Sequence, residues 1–157
     1  MKFNMIDPSL SFAIISLSIE CTEFLTYSLY VEKNKTTPLE LKNKFSDIMK
    51  IMFNICTYLP ISSSFEKVYD VAKNDIENKE MDEWVSAENI FLFSTSLCIL
   101  SGKILSSTRD FQFVTGDQKK FTEDVLTHAL YFCKTCIKLS EILKVDTEEI
   151  KKTIFEK

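Results

Sequence analysis

Turn-forming residues are scarce in this chain of 157 residues, which contains 2 glycines and 3 prolines. Hairpins and tight strand connections depend on glycine and proline, because few other residues adopt the backbone angles that they need. The chain also has 45% apolar residues and 13 phenylalanines, enough for a substantial core. The sequence therefore predicts an all-α fold, and its length predicts one domain over residues 1–157.

Helix-start and helix-stop signals predict six helices. Asp7-Pro8 and Thr37-Pro38 each place a side chain that accepts backbone N–H groups before a proline, which has no N–H to satisfy. Pro60 then stops the second helix. We expect long helices over about 8–32, 38–59, 82–86 to 105, and 119–143, a shorter helix from a capping box at Ser63 and Glu66, and a last helix capped by Asp146.

The four long helices predict an antiparallel four-helix-bundle core with the two shorter helices packed across its ends. The segment STRDFQFVTGDQ, Ser107–Gln118, is the longest predicted loop, and we expect Phe111 and Phe113 to pack it down. The order long, long, short occurs twice, which suggests an internal duplication of halves 8–80 and 83–157. The matching residues are few, so chance similarity stays an alternative.

Charge and cysteine usage exclude several classes of protein. The net charge is −4, the pI is near 5.1, and Arg109 is the only arginine, so no basic strip is available for nucleic acid. Five dispersed cysteines and an N-terminus without a secretory signal predict a reduced, cytoplasmic protein with mostly buried thiols. The segment from Leu10 to Val31 has the length of a membrane span, but Glu20 and Glu23 favour a buried helix in a soluble bundle.

Glu20 and Glu23 are the main candidates for a functional site. Three residues apart on a helix, they are separated by about 60° and can reach one point. Because nearly the whole helix is apolar, we expect that point inside the bundle, where two carboxylates need a proton, donors or a cation. Asp47 on the second helix would complete an all-oxygen site of the kind that magnesium prefers. The alternative is that Glu20 or Glu23 lies on a solvated strip and pairs with Lys44.

The pattern Glu20-x-x-Glu23, followed after a gap of twenty residues by Lys44-x-x-Asp47, resembles the MazG-like all-α nucleotide pyrophosphohydrolases. Their motif is Glu-x-x-Glu on one helix and Glu-x-x-Asp on the next. The resemblance implies magnesium-dependent cleavage of nucleoside triphosphates to monophosphate and pyrophosphate. It also implies Glu20, Glu23 and Asp47 as magnesium ligands, with Glu23 nearest the attacking water.

Lys44 departs from this motif, since the family has a glutamate there. The exchange reverses a charge at the metal and either abolishes metal binding or provides a phosphate contact. The resemblance also implies phosphate contacts from Lys73 and Asn74, for which solvated helix surface is the simpler interpretation. In a second copy of the motif the corresponding candidates are Glu88 and Asp124.

Other chemistry has weaker support in the sequence. His128 is the only histidine, and we interpret it as a hydrogen-bonded core residue in preference to a base or ligand. Cys133-x-x-Cys136 lies inside a predicted helix without a second ligand pair, which argues against zinc. The second functional hypothesis is a non-catalytic helical adaptor or inhibitor that binds a protein partner. A homo-oligomer and a monomer both remain open.

Overall fold

The computed structural model describes residues 5–32, 38–58, 65–77 and 90–155, and every regular element within them is helical. The prediction of an all-α fold is confirmed. The elements are α1 (Pro8–Glu32), α2 (Pro38–Thr57), α3 (Phe65–Glu77), α4 (Ile90–Asp110), a π-helix (Phe111–Thr115), α5 (Gln118–Leu143) and α6 (Thr147–Phe155).

Aspartate caps begin α1 and α6 where the sequence predicts them. Asp7 Oδ1 accepts the backbone N–H of Ser9 at 2.7 Å, and Asp146 Oδ1 accepts that of Glu148 at 2.9 Å. Each carboxylate satisfies an N–H that has no partner within its own helix. The predicted cap at Thr37, the capping box at Ser63 and the start of the fourth helix between 82 and 86 lie outside the described residues.

The connection between α4 and α5 corrects the predicted loop at Ser107–Gln118. The helix continues to Asp110 and passes into the π-helix, which ends at Gly116, where φ is 59° and the N–H donates to the Phe111 carbonyl at 3.0 Å. The predicted helix end near Leu105 was wrong because no glycine or proline lies between Leu105 and Gly116 to stop the helix. Phe111 is buried as expected, but Phe113 is 49% exposed.

The long helices form the bundle. α1 packs on α2 and α4, and α5 packs on α4 and α2, so the four helices surround one core. The contacts between α1 and α2 show that these two helices run antiparallel. Glu20 bonds to Lys44, and the start of α1 lines the same groove as the end of α2. The centre of the core is made of side chains with no exposed area: Leu17, Phe24, Phe45, Ile48, Leu97 and Phe132.

Each short helix packs on a long helix of the other half. α3 lies on α5 and α6 lies on α2, so each packs on the second long helix of the other half. The sequence did not predict this exchange between halves 8–80 and 83–157. The duplication itself stays a prediction.

Candidate functional site

Lys44 lies between the two glutamates that the sequence singles out. Its Nζ donates to Glu23 Oε2 at 2.5 Å and to Glu20 Oε2 at 3.3 Å, and it lies 5.7 Å from the centre of the Tyr27 ring. Glu20 and Glu23 are one turn apart on α1, while Lys44 reaches them from the antiparallel α2. The three side chains therefore tie the two helices together.

This cluster lies at the surface of the bundle. The side chains of Glu20, Glu23 and Lys44 are 24%, 46% and 25% exposed. The predicted interior position was wrong, because α1 turns this face towards the edge of α2 and not towards the core. Partly solvated carboxylates do not demand a metal ion, since water and one ammonium satisfy them.

The charge of Lys44 is well stabilised. Its hydrogen bond to Glu23 raises the pKa of the Lys44 ammonium to about 12, with Glu20 adding to the effect and burial opposing it. Lys44 is therefore a cation throughout the neutral range, and it offsets the charge of the glutamate pair.

The arrangement of these side chains does not fit a magnesium ion. The ammonium occupies the point on which both carboxylates converge, and Asp47 is exposed on α2. Within the described ranges, no three His, Cys, Asp or Glu side chains are grouped to hold a metal ion. The observed pairing matches the alternative interpretation with Lys44, while the magnesium site stays a prediction that requires Lys44 to move.

Lys73 and Asn74, the predicted phosphate contacts, lie on α3. Lys73 Nζ donates to Glu148 Oε1 at 2.9 Å, and the hydroxyl of Tyr69 donates to the same oxygen at 3.1 Å. The bond raises the pKa of Lys73 and lowers that of Glu148. Lys73 is thus engaged between α3 and α6, and Asn74 is exposed.

Of the two second-copy candidates, the structure describes Asp124. Glu88 lies outside the described residues, and Asp124 is half-buried on α5, one turn before His128. Burial lowers the pKa of His128, Lys103 lowers it further, and Asp124 opposes the shift. His128 is half-buried and does not belong to the buried core, so the prediction of a hydrogen-bonded core histidine stays a prediction.

The cysteines are free, and Cys98 alone is only half-buried. Burial raises the pKa of the Cys133 and Cys136 thiols inside α5. It also raises the pKa of the Cys56 thiol, to about 12. Buried thiols with raised pKa values are protonated and poorly reactive at neutral pH. The prediction of mostly buried thiols is confirmed.

A buried ion pair was missed in the sequence. Lys134 on α5, with a side chain only 6% exposed, donates to Asp75 Oδ2 on α3 at 2.9 Å and lies 5.4 Å from the centre of the Tyr131 ring. The signal was present, because this lysine interrupts the otherwise uncharged run ALYFCKTCI. What the sequence could not supply was the position of its carboxylate partner.

An apolar groove runs between the first half of α1 and the end of α2. Phe12, Ile15 and Ile19 line it from α1 and are 74%, 52% and 54% exposed, and Ile51 and Tyr58 line it from α2. Its volume is about 790 Å³, and Glu20 lies at one end. The groove adjoins the Lys44 cluster through Glu20.

The helical stretches Pro8–Leu29 and Ile90–Thr115 have the length and apolar composition of membrane spans, with 33% of the most apolar window buried in each. Length and composition alone are weak evidence, because core helices of soluble proteins have both. In the bundle, Glu20 and Glu23 interrupt the first stretch with charges that pair with α2.

Comparison with protein-family models, with curated proteins and with solved structures gives no match.

Proposed function

We propose that the protein is a non-catalytic helical bundle that acts by binding a protein partner through α1. One observation carries this proposal: α1 is uncharged from Pro8 to Ile19, yet Phe12, Ile15 and Ile19 are more than half exposed. A helix that is apolar on every side is normally covered on every side. Grouped exposed apolar side chains on a soluble domain mark an interaction surface.

The Lys44 cluster supports the non-catalytic part of the proposal. Activation of water or binding of a triphosphate through magnesium requires carboxylates that are available to a metal ion. Here the ammonium of Lys44 already bonds both Glu20 and Glu23. The exchange of glutamate for lysine in the motif thus gives the pair a structural role, the joining of α1 to α2.

A magnesium-dependent nucleoside triphosphate pyrophosphohydrolase of the MazG-like kind is the second candidate. The observation that favours it is that Glu20 and Glu23 direct one oxygen each at a single cation. In this candidate Lys44 leaves the carboxylates for a phosphate, and Glu23 orients the attacking water.

Thermal unfolding in millimolar magnesium or manganese, with and without nucleoside triphosphate, separates the two candidates. A ligand that binds only the native state raises the melting temperature. We expect no shift for the wild-type protein and no release of pyrophosphate. A rise of several degrees together with pyrophosphate release would decide for the enzyme.

The Lys44→Glu variant shows that this assay can detect a restored site. It provides the glutamate of the family motif, so we expect a lower melting temperature without metal, from repulsion among carboxylates, and a rise with magnesium. Lys50→Glu is the matched control, because it makes the same charge change at an exposed position of α2.

Site-specific photo-crosslinking tests the binding part. A photoreactive residue at position 15 or at position 99 replaces an exposed isoleucine on α1 or α4, 52% and 41% exposed respectively. We expect the photoreactive residue at position 15 to crosslink to one protein, and an excess of unlabelled wild-type chain to prevent this adduct. We expect no such adduct from position 99. Equal adducts from both positions would count against an interface on α1.

A further inference from the structure

We propose that the groove between α1 and α2 receives an amphipathic helix of the partner, with an apolar stripe that enters the groove and a lysine or arginine at one end of that stripe. This inference rests on the proposed function, and it adds the site and the chemistry of the partner.

The apolar part of the groove has the dimensions of a helix-binding site. Phe12, Ile15 and Ile19 follow one another at the spacing of one helix face, while Ile51 and Tyr58 are two turns apart on the opposite wall. Seven residues of helix correspond to about 10 Å, which is the span of three anchors at i, i+3 or i+4, and i+7 on a bound helix. The volume of about 790 Å³ accommodates such a set of side chains.

The charged end of the groove selects the sign of the partner's charge. Glu20 lines the groove, and Glu23 and Asp47 are exposed beyond it on the two walls. These three carboxylates outnumber the two nearby ammonium groups, that of Lys44 and that of Lys50, which is exposed one turn after Asp47 on α2, so this end is net negative. A basic side chain on the bound helix would complement that charge, and an acidic one would be repelled.

A second copy of this chain fits the groove poorly for the same reason. If two α1 helices crossed antiparallel at Ile15, Glu23 of one copy would lie opposite Asp7 of the other, because each is eight residues from the crossing point. If they crossed parallel, Glu23 would face its own equivalent. Both two-fold arrangements bring like charges together at the interface.

A lipid surface is also a poor occupant. The groove is bounded by Glu20, Glu23 and Asp47, whose charge opposes that of anionic headgroups. The outward face of α1 also becomes polar after Ile19, where Thr22, Glu23 and Thr26 are exposed. An apolar patch that is concentrated in the first half of the helix, with Leu29 as a further exposed apolar residue near its end, matches a helix-sized partner better than a bilayer.

Selection from a displayed library of helical peptides of about 16 residues tests the proposal without a known partner, because that length covers the groove and its acidic end. The library is randomised at the positions of one helix face and at both ends, and the bait is the full wild-type chain. We expect the enriched peptides to share apolar residues at i, i+3 or i+4, and i+7, with Lys or Arg at one end. Peptides without this pattern, or with Asp or Glu at that end, would overturn the proposal.

Variants then locate the binding site of the enriched peptides. We expect Ile15→Asp to weaken binding by about tenfold or more and Ile99→Asp, at a similarly exposed position outside the groove, to leave it within about twofold. Asp47→Lys should weaken binding and reduce the preference for a basic end. Both isoleucines are exposed, and circular dichroism and thermal melting check that the variants fold.

The other outcomes assign the groove differently. A wild-type dimer in sedimentation that Ile15→Asp makes monomeric would give the groove to a second copy. Binding to phosphatidylcholine and phosphatidylserine vesicles that Ile15→Asp abolishes would give it to a membrane. If the enriched peptides bound Ile15→Asp as tightly as wild type, the groove would not be their binding site, but the proposed function would still stand. Pyrophosphate release by the wild-type chain would count against the proposed function itself.

Discussion

Two lysine–carboxylate clusters in this bundle have similar chemistry and opposite surroundings. Lys44 joins α2 to Glu20 and Glu23 on α1 at the edge of a groove, with a quarter of its side chain exposed. Lys134 joins α5 to Asp75 on α3 with a side chain that is 6% exposed. The Lys134 pair depends more on its geometry, because water reaches its side chains less easily, at 6% and 19% exposure, than those of the Lys44 cluster, which can rearrange at little cost.

The largest expected effect is that of Lys134→Met, which leaves Asp75, whose side chain is 19% exposed, without its cation. We expect the free energy of unfolding in urea to fall by about 3–5 kcal/mol, since one partner of a buried pair is lost. The double variant Lys134→Met with Asp75→Leu should recover a large part of this loss, because no charge is then left unpaired. A loss below about 1 kcal/mol for the single variant would mean that the two clusters do not differ as their exposure indicates.

The same substitution at the groove is expected to have a much smaller effect. Lys44→Met should lower the free energy of unfolding by no more than about 1 kcal/mol, and 0.5 M salt should reduce the difference from wild type. Lys50→Met provides the baseline for an exposed lysine on the same helix. A loss comparable to that of Lys134→Met would show that the groove pair is a structural requirement of the bundle and would weaken the case for a binding surface beside it.

The contrast also explains what could be predicted from the sequence. Helix starts at Asp7 and Asp146 were predictable because a capping side chain acts within a few residues of its own position. The helical connection after Leu105 was not predictable, because a π-helix has no strong sequence signal. It ends at Gly116, which adopts the left-handed backbone conformation.

The sequence predicted which residues form the cluster of Glu20, Glu23 and Lys44, but not how exposed they are. Spacing brings Glu20 and Glu23 to one point, and Lys44 was named as their alternative partner. Their exposure was missed because α1 is apolar around most of its circumference, so its pattern does not tell which side the other helices cover. The partner of Lys134 was missed because Asp75 is distant in the sequence and the two meet only through the packing of α3 on α5.

The smallest expected effect is at Glu148, where Lys73 forms an ion pair whose side chains are 43% and 41% exposed. Lys73 lowers the pKa of Glu148 below its ordinary value of 4.5. A depressed folded-state pKa contributes stability above the unfolded pKa, and this is lost as the pH falls through the folded value. Solvent screening limits the contribution to about 0.5 kcal/mol.

Glu148→Gln should therefore be slightly less stable than wild type at pH 6 to 7, and the difference should disappear towards pH 3. Glu149→Gln is the matched control, because it removes the same charge from the first turn of α6 and so equalises the interaction with the helix dipole. Urea unfolding across this pH range measures both variants. If Glu148→Gln lost as much stability as the Lys134 variant, exposure would not be what separates the strong pairs of this bundle from the weak ones, and the groove cluster would have to be reconsidered as part of its rigid framework.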